Sequence, residues 1–253
     1  MTKKSFTVFT IIFIIIAFII DYQLVAAEDL TMSLTDNATS VSGGFSSKII
    51  QMIGIITILS VAPSIIIMFT SFTKITVVFS ILRNGLGLQQ TPPNSVLTSL
   101  ALFLTFFIME KPLKVMYEDA LEPLIEERIT NEMAWDSIQK PIKGFMLENV
   151  ADKELSLFRG MAKVDDKVSR GETPLHVLTP AFLISELRKA FEIGFLVFLP
   201  FLVIDLVVSS VLMAMGMMML PPVVISLPFK LIFFVLVDGW YMLCGSLVKS
   251  YGL

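Results

Sequence analysis

Two long apolar segments near the end of the chain, joined by a short turn, constrain its fold most strongly. The first reads AFLISELRKAFEIGFLVFLPFLVIDLVVSSVLMAMG and the second VVISLPFKLIFFVLVDGWYMLCGSLV. Apolar runs of about 20 residues are typical of membrane helices or of helices inside a multi-subunit apolar assembly. The chain is 55% hydrophobic and only 16% charged, whereas soluble domains average about 25% charged residues. The pattern predicts apolar helical hairpins, and no segment carries a strong strand signal.

The turn between the two segments is rich in methionine instead of polar residues. Five of the chain's 15 methionines fall within residues 213–219, around Gly216 and before two prolines. Methionine has an unbranched, polarizable side chain that packs adaptably. We therefore interpret the turn as a deformable seal or an apolar contact surface.

Composition excludes several classes of function. The net charge of -3 and the absence of a basic stripe argue against a nucleic-acid-binding protein. The single cysteine, Cys244, is expected in the core, and the single histidine, His176, at the surface or in a helix cap. No set of ligands has metal-site spacing, and no nucleophile–base pair or phosphate loop is visible. We expect no cofactor, no metal and no enzymatic activity.

Composition also divides the chain into five parts. Residues 1–27 resemble a cleaved secretory signal peptide, with Lys3 and Lys4 before an apolar core; an uncleaved anchor helix is the alternative. Residues 28–47 are polar and rich in Gly, Ser and Thr, which predicts a flexible N-terminus. Residues 48–109 form a first apolar helical hairpin, and residues 178–253 a second one that contains the methionine turn.

Residues 110–177 form a polar insert between the hairpins. Residues 110–172 hold 14 acidic and 10 basic side chains, 24 of the chain's 41 charged residues. Apolar residues at helical spacing predict a water-facing helical hairpin or small domain built from amphipathic helices. The first helix is indicated by Leu113, Met116, Tyr117, Ala120, Leu121 and Leu124, and the second by Phe158, Met161, Val164 and Val168.

The orientation follows from the charges. If a signal peptide exports the mature N-terminus, the first apolar segment runs inward and leaves Lys74 and Arg83 on the cytoplasmic side, as the positive-inside rule prefers. The next segment returns outward, so the insert is expected to be extracytoplasmic. The methionine turn then lies at the cytoplasmic end of the second hairpin.

Charged residues interrupt the second hairpin. A charge that faces the bilayer centre costs at least about 2.5–3.5 kcal/mol on insertion scales, so these helices are expected to face protein or water. Local pairs Arg188–Glu192 and Glu186–Lys189 have the spacing of helical ion pairs. The charges in or beside the hairpin are Glu186, Arg188, Lys189, Glu192, Asp205, Lys230 and Asp238.

Lys230 has no nearby partner in sequence. We hypothesise that it pairs with Glu186, between subunits of an oligomer, because a lone buried charge is costly. The alternative keeps Glu186 on Lys189 and puts Lys230 at a wet helix end. Asp205 is either a proton-relay carboxylate, as in pumps, or a buried carboxylate that caps a helix or binds a neighbouring chain.

The apolar blocks at residues 71–109 and 181–240 resemble the FliP family of bacterial type III export gates, which includes subunits of virulence injectisomes. The resemblance covers roughly 100 residues, and the signal peptide and long insert favour the flagellar branch. It implies an all-α subunit that assembles as about five copies with FliQ and FliR, near FlhA and FlhB, in the inner membrane of the flagellar basal body. The implied substrates are unfolded flagellar proteins.

The same resemblance assigns roles to individual residues. It implies a pore gasket at Met217, Met218 and Met219, with Met213 and Met215 as further candidates. It also implies an ion pair between subunits at Glu186 and Lys230. A secondary transporter or ion channel with broken helices is the alternative function, because Pro63, Pro200 and Gly216 are compatible with discontinuous helices.

Overall fold

The computed structural model describes residues 52–54, 56–57, 60, 67–88, 90–165, 168–217 and 220–253. The chain divides into two compact units, Met1–Ile66 and Ile67–Leu253. In the first unit the described residues are helical, and the predicted signal peptide and N-terminal segment lie outside them. All elements of the second unit's described residues are helical, without a strand, which confirms the predicted all-α fold.

Two helices, α1 (Phe72–Gly85) and α2 (Asn94–Ile108), begin the second unit. Helix α1 buries Ile75, Val78 and Leu82, whose spacing of three and four residues puts them on one face. Helix α2 starts after Pro93, as expected because a proline is tolerated before or at the first helical turn.

The polar insert consists of helices. Helix α3 (Glu110–Met116), a π-helical turn (Tyr117–Leu121) and α4 (Glu122–Ile125) follow one another. The structure confirms the helix predicted from the first apolar spacing and adds the π-helical turn inside it. Helix α5 (Asn131–Asn149) packs against this arm, and α6 (Asp152–Met161) follows.

The structure corrects the second amphipathic helix of the insert. Helix α6 contains Phe158 and Met161 but ends before Val164 and Val168. Lys163 has a φ of 52°, and its N–H and that of Val164 bond back to the carbonyls of Gly160 and Arg159. Such a left-handed residue closes a helix, so the apolar spacing continued past the true end.

The second apolar hairpin begins with one long helix that its two prolines, Pro180 and Pro200, do not interrupt. Helix α7 (Leu175–Ala214) has 40 residues, or about 60 Å at 1.5 Å per residue, and continues through two interior prolines. After the turn come α8 (Pro222–Leu236) and α9 (Gly239–Lys249), which meet at a bend of 61°. Among the described residues, α7 alone is long and apolar enough to span a membrane; counting the bent pairs α2 with α3–α4 and α8 with α9 gives up to three spans.

Helices α1 and α7 run parallel and hold the core together. Lys74 at the start of α1 lies beside Glu186, whereas Gly85 at its end lies beside Phe201. Between these points the side chain of Ile81 packs on Gly194, where a Cβ atom would lie 2.4 Å from Cδ1 of Ile81. A larger residue at position 194 would therefore require the Ile81 side chain to move.

Candidate functional site

The methionine turn is held by its backbone. Gly216 has a φ of 73°, and its N–H donates to the carbonyl of Met213 while the N–H of Met217 donates to the carbonyl of Leu212, both at 3.0 Å. This is a Schellman motif, which needs a residue that tolerates the left-handed conformation. Met213, Met215 and Met217 contribute backbone groups to this turn, and their side chains are exposed. Met218 and Met219 lie outside the described residues.

Apolar side chains cover the outer surface of the hairpin. The most apolar stretch of α7 is only 11% buried inside the chain. At 100° per residue the exposed positions of α7 cover a broad arc of roughly 200°. These positions include Phe191, Phe195, Leu196, Leu199, Leu202, Val203, Leu206, Val207 and Val211 on α7, and Val223, Val224, Phe229, Ile232, Val235 and Leu236 on α8.

A first cluster of polar groups lies where the end of α1 meets the interior of α7 and α8. The ammonium group of Lys230 is 2.6 Å from Oδ2 of Asp205 and donates to the carbonyl of Gly85 at 3.0 Å. The hydroxyl of Ser226 donates to Oδ1 of Asp205. Lys230 thus neutralises the carboxylate of α7 and also binds a carbonyl that the end of α1 leaves free. We call these residues the Asp205 cluster.

A second cluster surrounds Glu186 deeper in the chain. Its carboxylate lies 3.5 Å from the ammonium of Lys74 and 3.6 Å from that of Lys189, and it accepts a hydrogen bond from the hydroxyl of Tyr251. The Lys74 ammonium also lies 3.4 Å from the centroid of the Tyr251 ring, a cation–π contact. We call these residues the Glu186 cluster.

Burial changes the acidity of this second cluster. Desolvation lowers the pKa of Lys74 to about 8, although the charge of Glu186 opposes the change. Desolvation, followed by the charge of Glu186, raises the pKa of the Tyr251 hydroxyl. Tyr251 therefore stays a neutral donor to the carboxylate at physiological pH.

Comparison with known proteins assigns the chain to a family. The model of the FliP family matches residues 55–247, which include the Asp205 cluster, the methionine turn and every member of the Glu186 cluster except Tyr251. A protein of Caulobacter vibrioides named flagellar biosynthetic protein FliP is 50% identical over 228 residues, which cover 90% of this chain and 86% of the relative. The chain belongs to the FliP family.

Other relatives with the same name come from distant bacteria. The FliP of Bacillus subtilis is 50% identical over 205 residues, which cover 81% of this chain and 93% of the relative. The FliP of Aquifex aeolicus is 48% identical over 204 residues, with coverage of 80% and 85%. The resemblance seen in the two apolar blocks thus extends over most of this FliP family member, including its insert.

Within one chain, Glu186 and Lys230 do not meet. They belong to separate clusters, and they are 1% and 2% exposed, respectively. The partner of Lys230 is Asp205, 25 residues earlier in the same chain. Asp205 therefore acts as a counter-ion for the lysine of the neighbouring helix. The contact between Glu186 and Lys230 of different copies stays a prediction.

The two ion pairs predicted from helical spacing, Arg188–Glu192 and Glu186–Lys189, are present in the structure. Arg188 lies 2.9 Å from Glu192 and 3.0 Å from Glu154 of α6, so the arginine also connects the insert to the hairpin.

Asp238 is exposed at the bend between α8 and α9, where its φ is 49°. His176 is exposed in the first turn of α7, and Cys244 packs against the core.

Two members of the Glu186 cluster escaped the sequence analysis. From the sequence, Lys74 served only to predict the orientation of the chain, whereas the structure buries its side chain completely. A signal was present, because Lys74 lies in helical register with Val78 and Leu82 on the buried face of α1. Tyr251 follows the last helix and has no comparable signal.

Proposed function

We propose that the chain is a pore-forming core subunit of the flagellar type III export gate, which conducts unfolded flagellar proteins across the inner membrane. Its membership of the FliP family and the names of its relatives support a role in building the flagellum. In this proposal about five copies assemble with FliQ and FliR, and FlhA and FlhB act beside them. The insert lies on the periplasmic side, after export directed by the signal peptide.

The observation that carries the proposal is the distribution of charge and apolar surface on the α7–α8 hairpin. Lys230 and Glu186 point into the chain, while the outer surface of the hairpin is apolar over most of its length. An exposed apolar area of this extent marks a contact with lipid or with other chains. The hairpin can therefore enter an apolar assembly without carrying an unpaired charge into it.

The methionine turn supplies the part that closes the pore. Several turns around an axis would form a ring of thioether side chains that excludes water and ions. Because methionine adapts its shape to varied neighbours, such a ring deforms around a passing polypeptide without selecting its sequence. The backbone cap of Gly216 holds the turn, so the side chains of Met213, Met215 and Met217 remain available. No covalent chemistry is required of the subunit.

A triple substitution tests the gate. Replacing Met217, Met218 and Met219 by alanine removes side-chain volume from the ring, so membrane conductance to small ions should rise while secretion of flagellar proteins continues. The matched control replaces three exposed methionines elsewhere, Met133, Met161 and Met242, and should leave conductance unchanged. Unaltered conductance in the first variant would contradict the proposal that these methionines seal the pore.

A secondary transporter or ion channel is the second candidate, and the broken helices favour it. Helices α2 and α3–α4 are bent by 65°, and α8 and α9 by 61°; interrupted helices form the binding sites of many transporters. Purified chain reconstituted alone into vesicles separates the two functions. Movement of a small solute by the isolated subunit would favour the transporter, whereas the gate requires the assembled complex.

A further inference from the structure

The helical arm of the insert consists of α3, the π-helical turn and α4. Its C-terminal end, together with the start of α5, exposes large apolar side chains. This end comprises residues 118–136, from the π-helical turn through α4 to the first turns of α5, and we call it the acidic tip. Ile125 is 75% exposed, Met133 56% and Trp135 61%. An exposed tryptophan on a surface otherwise rich in charge is typical of protein contact sites.

The charges around these side chains have one sign. The acidic tip carries seven carboxylates and a single basic residue, Arg128, which is already paired with Glu126 at 2.7 Å. The rest of the insert is balanced or basic, with Lys140, Lys143 and Lys153 following the tip. The carboxylates are Glu118, Asp119, Glu122, Glu126, Glu127, Glu132 and Asp136.

A groove beside the tip offers a place for a side chain of a partner. It has a volume of about 550 Å³ and lies between the arm and α5. Glu118 and Asp119 line one wall, and Ser137 and Lys140 the other. Glu118 already lies 3.8 Å from the ammonium of Lys114, so a basic side chain of a partner would bind at Asp119.

We propose that the acidic tip binds a protein segment that presents lysine or arginine side chains around an apolar centre. Trp135 would lose contact with water in the complex and provide most of the affinity, while the carboxylates steer the partner and fix its orientation. A second copy offering the same tip would be repelled, and so would an anionic bilayer surface. This contact goes beyond the gate and does not depend on it.

Cross-linking from the tip tests this proposal in cells that assemble the full-length chain. A photoreactive amino acid replaces Trp135 in one variant and Leu157 of α6, which is 52% exposed, in the control. We expect irradiation to join the first variant, but not the control, to a second protein at a segment with net positive charge, identified by mass spectrometry. If the variant at Trp135 fails to accumulate, the same residue placed at Met133 replaces it.

Charge neutralisation completes the test. Glu127→Gln with Glu132→Gln should lower the yield of the adduct several-fold, whereas Glu110→Gln with Glu148→Gln, which removes two exposed carboxylates outside the tip, should not. The proposal is overturned if the adduct forms only with lipid, with another copy of this chain or with a protein segment that lacks basic residues. It is also overturned if no adduct exceeds the control or if both double substitutions reduce it equally.

Discussion

Lys74 is a fully buried cation whose charge the surrounding residues neutralise only in part. Its side chain is fully buried, and its ammonium group makes no hydrogen bond within the described residues. The nearest charged groups are Glu186 and Lys189, one opposite and one like in sign. The ring of Tyr251 covers the ammonium. Two cations thus share one carboxylate, so the cluster stabilises the charge of Lys74 incompletely.

This arrangement predicts a pH dependence of stability. Burial holds the pKa of Lys74 at about 8 in the folded chain, against 10.5 ordinarily. Between these two values the unfolded chain binds more protons, so the free energy of unfolding rises with pH, by about 3 kcal/mol at most. Below pH 8 the full cost of burying the charge is present. Denaturant unfolding in detergent at several pH values measures this rise.

A variant isolates the contribution of Lys74 from that of other titrating groups. In Lys74→Met combined with Glu186→Gln, the cluster loses both charges, so the rise between pH 8 and 9.5 should become smaller than in the parent chain. The quantity to compare is the rise in the free energy of unfolding between pH 8 and 9.5 in the parent chain and in the variant. Identical profiles would contradict the assignment of the buried charge to Lys74.

At the scale of elements, an ion pair joins the two helices of the α7–α8 hairpin in addition to the contacts of Phe201 with Phe233 and Phe234. Asp205 and Lys230 join the two helices and link both to the end of α1. Removing one member of a buried pair typically costs about 3 kcal/mol, because the other charge remains without a partner.

A series of charge exchanges separates the contact within the chain from the one between copies. Lys230→Glu should destabilise the chain, and Asp205→Lys in the same chain should recover much of the free energy of unfolding, since the pair is re-formed in reverse. Glu186→Lys in place of Asp205→Lys should recover none of it. Unfolding of the purified subunit provides this measurement.

Assembly is the second measurement on the same variants. If Glu186 of one copy contacts Lys230 of the next, Glu186→Lys should restore the amount of oligomer lost in Lys230→Glu, as seen on native gels. Recovery of the oligomer by Asp205→Lys alone would contradict the contact between copies. Such a result would indicate that assembly requires the pair Asp205–Lys230 within one chain.

At the scale of the whole molecule, the end of the chain closes the core. Tyr251 follows the last helix, stacks on Phe145 of the insert at 5.7 Å between ring centroids, and binds Glu186 of α7. It also covers Lys74 of α1. One residue near the C-terminus thus contacts three separate elements, which connects the insert to both apolar hairpins.

Loss of the Tyr251 hydroxyl should therefore affect global stability. Tyr251→Phe keeps the ring contacts but leaves the carboxylate of Glu186 without its donor, which should lower the free energy of unfolding by about 1–3 kcal/mol. Tyr241→Phe, at a residue that is 83% exposed, is the matched control and should change it by less than about 0.5 kcal/mol. Equal effects of the two substitutions would contradict a closing role for Tyr251.

Features that depend on neighbouring residues could be predicted from the sequence. Apolar spacing predicted the helices, Gly216 marked the turn, and the pair Arg188–Glu192 followed from one helical turn. The end of α6 was missed because a lysine, not a glycine, adopts the left-handed conformation there. Apolar spacing alone carries no information on such a cap.

The sequence by itself determined that this chain is helical, that its apolar surface exceeds what a soluble domain can bury, and that its methionines gather at one turn. Only the tertiary structure decided which charges far apart in the sequence meet. Lys230 binds Asp205 and the end of α1, while Tyr251 reaches Glu186 from 65 residues away. The reason is physical: a buried charge pairs with whichever partner the packing of helices brings within a few ångströms, and that packing, here the contact of Ile81 with Gly194, is set by shape and not by position along the chain.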